Sequence, residues 1–141
     1  MSRIALVLPA LVLSVAALAQ QPSSAPSGQN SSSYSAIPVD AAKAENPVKP
    51  GPESLARAKK WWTLDCVMCH GKEGDGKGET ARDMKLTIGD FTDPNTLKNR
   101  TDGELFYVIR KGKGEMPPEG DRAKDDDIWN MVNYIREFGK K

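Results

Sequence analysis

The sequence predicts an all-α fold, and three observations carry that expectation. Apolar residues recur three and four apart around residues 55–62, 105–109 and 128–135, the spacing of one buried helix face. Start and stop signals bracket these stretches: Pro52-Glu53, Thr101 with Glu104 and Asp125-Asp126-Asp127 at the starts, Gly112 and Gly139 at two of the ends. No strand-like alternation of apolar and polar residues occurs between residues 53 and 141.

The chain has 141 residues and a formal net charge of +1, which suits one domain and gives no argument for nucleic-acid binding. Residues 1–19 read as a secretory signal. Arg3 supplies the positive start, Ile4 to Leu18 is almost wholly apolar, and Ala17-Leu18-Ala19 is a small-residue cleavage site. The expected mature start is near Gln20. The weaker alternative is an uncleaved membrane anchor, but the run is interrupted by Pro9 and Ser14 and falls short of the about 20 apolar residues a spanning helix needs.

Residues 20–52 read as a linker. Six Pro, seven Ser and two Gly fill 15 of its 33 positions, and its apolar residues follow no helical or strand period. Such a segment is expected to stay a flexible tether, because it buries too little surface to offset chain entropy. The domain proper is then 53–141. It is thin in apolar residues, with 30 of 89 drawn from Ala, Val, Ile, Leu, Met, Phe, Trp, Tyr and Cys.

Pro52 to Asp65 is expected to be the first helix. Proline suits its first position and Glu53 complements its N-terminal dipole. Leu55, Ala58 and Trp62 mark its buried stripe. It leads into Cys66-Val67-Met68-Cys69-His70, the C-x-x-C-H pattern of covalent c-type haem attachment. The spacing has a chemical reason: two thiols three residues apart reach two vinyl groups on one macrocycle edge, and the next residue lies under the iron, where an imidazole binds as proximal ligand. The chain has two cysteines and one histidine, all in this pentapeptide. A structural zinc site needs a second ligand pair that is absent. A redox dithiol expects a βαβ context that is also absent.

Gly71, Gly74, Gly76 and Gly78 follow. A phosphate cradle would need the Gly-Lys-Ser/Thr ending of a P-loop, so the loop reads instead as a turn around the haem edge. Short helical turns are expected over 80–85 and 94–98. Thr101 and Glu104 form a capping box for a helix to about Lys111, with Leu105, Val108 and Ile109 on its apolar face. The last helix runs from Asp125 to about Gly139, with Ile128, Met131, Val132 and Ile135 inward and Trp129 and Tyr134 beside them.

On Cys66-Val67-Met68-Cys69-His70-Gly71, Gly112-Lys113-Gly114-Glu115-Met116-Pro117-Pro118 and the closing Ile128–Ile135 segment, the chain resembles the small class I c-type cytochromes of bacteria. The resemblance covers about Glu53 to Gly139 and implies a small cytochrome c fold. Its N- and C-terminal helices cross over one covalent haem c, with Ala58 and Trp62 facing Met131 and Tyr134. It implies that Cys66 and Cys69 carry the thioethers, and that His70 and Met116 are the axial iron ligands. The other methionines fit the ligand role less well: Met1 is in the signal, Met68 is inside the attachment motif, Met84 is close in sequence to His70, and Met131 faces the core of a helix. Covalent haem attachment of this kind occurs outside the bacterial cytoplasmic membrane, which agrees with the signal and implies a periplasmic protein.

The expected function is one-electron transfer without enzymatic turnover, since both axial positions are filled. The partners expected are redox donors and acceptors, membrane-bound respiratory complexes among them, and the protein is expected to be a monomer. The alternative from another class is a peroxidase-like haem enzyme or sensor with a displaceable sixth ligand.

Overall fold

The structure, a computed structural model, describes residues 37–140. These all fall within the unit that spans residues 31–141. The expected signal and cleavage site and the first part of the expected linker lie outside the described residues.

Six α-helices make up the domain: α1 Val39–Ala42, α2 Pro52–Trp61, α3 Val67–His70, α4 Glu79–Asp83, α5 Asp102–Lys111 and α6 Asp125–Phe138. A π-helical turn, Trp62–Cys66, joins α2 to α3. No strand occurs among the described residues, and the all-α expectation holds. The segment 94–98, expected to be helical, is a run of turns instead. Its backbone is held by side chains: Asp93 accepts from Asn95, and Arg136 donates to the Leu97 carbonyl at 3.0 Å. Among the described residues no helix is long and apolar enough to cross a membrane.

The core forms where α2 and its π turn cross α6. Ala58 is fully buried and Trp62 nearly so. The Trp62 ring lies 5.9 Å from Tyr134 and 4.8 Å from Phe138, centroid to centroid. Its indole N–H donates to the Gly71 carbonyl at 3.2 Å, so the ring buries its large apolar surface without stranding its donor. Leu55, expected on the buried stripe, is half-exposed, and Ser54 is buried in its place. Ser54 Oγ accepts from the Gly51 N–H at 2.9 Å and donates to the Gly51 carbonyl at 3.0 Å, which satisfies a small polar group at the helix start.

Helix α5 starts as its capping box requires. Thr101 Oγ1 accepts from the Glu104 N–H at 3.1 Å, and Glu104 Oε2 accepts from the Thr101 N–H at 2.9 Å. Gly112 ends it with φ +75°. A side chain there would strike the backbone of Met116, Pro117 and Pro118, so glycine both stops the helix and lets the next loop fold back.

The linker reading is corrected over its second half. Residues 38–48 are not a flexible tether but a strap seated on α5 and α6. Asn46 Nδ2 donates to the Trp129 carbonyl at 3.1 Å and to Asn133 Oδ1 at 3.0 Å, and Asn133 Nδ2 donates to the Val48 carbonyl at 2.8 Å. Thr101 Oγ1 donates to the Ala42 carbonyl at 2.6 Å. Ala44 and Val48 pack on the core. Gly103 leaves room for this approach, because a side chain there would collide with the carbonyls of Ala41 and Ala44. Few apolar groups suffice here, since the Asn133 amide and the Thr101 hydroxyl take up strap carbonyls and the Asn46 amide bonds back to α6. The strap also explains why α6 is buried on more than one face, from Ile128 through Asn133 and again at Ile135 and Phe138. Trp129, expected beside the stripe, is itself buried, stacked on Phe106 at 4.1 Å with planes 19° apart.

Candidate haem site

A cavity of about 500 Å³ opens between the π turn and α3 on one side and α5, α6 and the 112–118 loop on another. Such a volume falls in the range of small-molecule and cofactor sites. A π turn takes one more residue per turn than an α-helix and rotates whatever follows it. Trp61, Trp62, Asp65, Cys66, Cys69 and His70 all line the cavity. Its apolar wall includes Phe91, Leu105, Val108, Ile109, Ile128 and Ile135.

The two cysteines are half-buried free thiols. Burial, and after it the carboxylates of Glu119 and Asp65, pushes the Cys66 thiol up to about 12, so it stays protonated at neutral pH. The His70 ring stacks on Phe91 at 5.1 Å with planes 20° apart, and lies 5.7 Å from Trp62. Burial pulls its pKa below the ordinary imidazole value, which keeps the ring neutral and its lone pair available. Its Nδ1 is buried and meets no hydrogen-bond partner among the described residues. Two free thiols, a neutral imidazole with an orphaned nitrogen and an apolar cavity fit a haem.

Met116 lines the cavity from the opposite segment. It closes a tight turn in which the Lys113 N–H donates to the Met116 carbonyl at 2.9 Å and the Met116 N–H to the Lys113 carbonyl at 3.0 Å. Met84 and Met68 are exposed and line nothing there. Met131 does line the cavity, from the buried face of α6. Thus the structure brings Cys66, Cys69, His70 and Met116 around one space, with Met131 as a second thioether on its wall.

Sequence reasoning missed Phe91, Glu119 and Arg122. Phe91 arrives on a loop pinned by its N–H to the Gly74 carbonyl at 2.7 Å, and no periodicity marks a loop residue. Glu119, in Pro-Pro-Glu-Gly, has the composition of a surface turn, yet it is buried on the cavity wall.

Comparison with known proteins gives one family. Residues 53–135 match the family model described as cytochrome c oxidase, cbb3-type, subunit III. A cytochrome c6 from Cladophora glomerata is 31% identical over 83 residues, covering 59% of this chain and 87% of the relative. One from Pyropia tenera is 26% identical over 87 residues, covering 62% and 95%. Among solved structures, a chain of the Kuenenia stuttgartiensis reducing HAO-like protein complex superposes with a TM-score of 0.56 at 24% identity, over 67% of this chain and 49% of that one. This last likeness concerns the fold, and this chain spans about half the length of its neighbour.

Proposed function

This chain belongs to the cytochrome c family described as cytochrome c oxidase, cbb3-type, subunit III, and from that membership we propose that it is an exported one-electron carrier with a single covalent haem c. Cys66 and Cys69 would hold the group by thioethers, and His70 and Met116 would ligate its iron. The observation that carries the reading is the convergence of these four residues on one cavity, with a buried histidine nitrogen unmet by any group among the described residues.

When bound, the haem supplies a one-electron couple, and a thioether ligand raises its potential relative to nitrogen ligation. The chain's residues do the rest. Phe91 and Trp62 fix the His70 ring against rotation. The Lys113–Met116 turn on one side and Pro117-Pro118 on the other restrain Met116, because proline fixes φ and narrows the loop's alternatives. The apolar wall keeps water from the centre and sets a low local dielectric. If His70 and Met116 both held the iron, a substrate would find no ligand position there, so we read the partners as redox proteins and the turnover as electron transfer alone. The Ala17-Leu18-Ala19 site supports a periplasmic location, and N-terminal sequencing of mature protein should begin near Gln20. Met1 retained in a membrane fraction would support the anchor instead.

The test is spectroscopic. Haem stain should survive acid-acetone extraction on a denaturing gel, and the ferric protein should show the weak sulfur-to-iron band at the red end of the visible spectrum. Met116→Ala should abolish that band, lower the potential and admit carbon monoxide to the reduced protein. Met131→Ala should keep the band while losing about 2–5 kcal/mol of stability as a core truncation, and Met84→Ala should change neither. Rapid carbon monoxide binding and peroxide turnover by the native protein would replace the carrier with the enzyme.

A further inference from the structure

Glu119 is the one charged side chain buried among the described residues, at 8% exposure. It lines the cavity together with Asp65. A buried carboxylate needs a partner, and Arg122 supplies it. One guanidinium nitrogen donates to both Glu119 oxygens, at 2.7 and 2.6 Å, and another donates to Asp65 Oδ1 at 3.1 Å. Glu119 follows Met116 by three residues, and Asp65 directly precedes Cys66. The Glu119 backbone is fixed as well: its N–H donates to the Ile109 carbonyl at 3.0 Å, and its own carbonyl accepts from the N–H groups of Arg122 and Ala123 at 3.0 and 2.8 Å.

We propose that Arg122, Glu119 and Asp65 form a positioning cluster for the haem, in which Arg122 ties the Met116 loop to the turn before Cys66 and offsets a carboxylate built into the cavity wall. The proposal rests on the reading that haem fills this cavity with Met116 as distal ligand. Its physics is electrostatic. A carboxylate facing a one-electron centre favours the more positive, oxidised form and so lowers the potential, and the field is strong where water is excluded. The guanidinium opposes that field. Its own side chain is half-exposed, so the negative group faces inward and the positive group faces solvent. Arginine suits the post because its two terminal nitrogens reach two separate carboxylates at once, Glu119 and Asp65, a span that the single nitrogen of an ammonium does not cover.

The experiment is redox titration of purified holoprotein, with the sulfur-to-iron band read in parallel, for Glu119→Gln, Arg122→Gln and Arg122→Lys. Glu119→Gln should raise the midpoint potential and Arg122→Gln should lower it. Arg122→Lys should stay near wild type in potential but weaken the band, since the charge remains and the span is lost. Shifts of the same sign in Glu119→Gln and Arg122→Gln would mark a merely structural role and overturn the proposal, as would no shift in either. If Arg122→Gln gives no holoprotein, the double variant E119Q/R122Q should restore it, because the unpaired buried charge is gone. Failure of the double variant to do so also overturns the proposal. Met116→Ala is the separate control: a band that survives it refutes the axial assignment, while the potentials of the other variants still test the charge cluster.

Discussion

Trp62 joins four aromatic rings at the core. Its ring meets His70, Phe91, Tyr134 and Phe138, and its N–H closes on the Gly71 carbonyl. Trp62→Ala should therefore cost about 3–5 kcal/mol, the range for large aromatic truncations in a core. Trp62→Phe keeps much of the apolar contact but leaves the Gly71 carbonyl without its donor, for a smaller loss of about 1–3 kcal/mol. Denaturant unfolding of the two variants should rank them in that order, and an unchanged midpoint in Trp62→Ala would refute the packing. Trp62 was legible in sequence because it recurs four residues after Ala58 on the apolar stripe of a helix. Ser54 was not: helical period alone cannot tell a buried polar cap from the leucine beside it, and only the Gly51 hydrogen bonds decide.

At the scale of elements, capping signals and periodicity mark α2, α5 and α6 in the sequence, since each has a local chemical cause. The strap did not announce itself, because its cause is not local. Its composition is that of a tether, and the groups that hold it, Asn133, Thr101 and Gly103, lie elsewhere in the chain. It also precedes the family match, which begins at residue 53. Asn46→Ala should cost about 1–3 kcal/mol, since it leaves the Asn133 amide oxygen without its donor and the Val48 N–H without its acceptor. Gly103→Val should lift the strap outright, because its side chain would occupy the space of the Ala41 and Ala44 carbonyls. Trypsin reports both, since Lys43 is exposed within the strap. Cleavage after Lys43 should be slow in the native protein, faster in Asn46→Ala and fastest in Gly103→Val. Equal and rapid cleavage in all three would return this segment to a tether.

At the scale of the whole molecule, the thin core and the large cavity are two sides of one fact. Only ten hydrophobic residues are buried among the described residues, and the cluster that eight of them form borders a space of about 500 Å³. At about 24 cal/mol per Å³ of unfilled volume, such a void would cost about 12 kcal/mol. That is an upper figure because the mouth is open, yet it matches the whole stability of a typical domain, about 5–15 kcal/mol. The helices can thus be specified by sequence while their fixed packing depends on what fills the space. The variant Cys66→Ser/Cys69→Ser, purified without haem, should retain part of its far-ultraviolet helical signal. It should also lose the near-ultraviolet tryptophan signal, bind a hydrophobic dye and unfold without a sharp transition. Trp61, Trp62 and Trp129 supply the near-ultraviolet probe, and two of them line the cavity. A haem-free chain that keeps that signal and melts cooperatively would mean that the protein core alone sustains the fold, and the cofactor would lose its structural role while keeping its redox one.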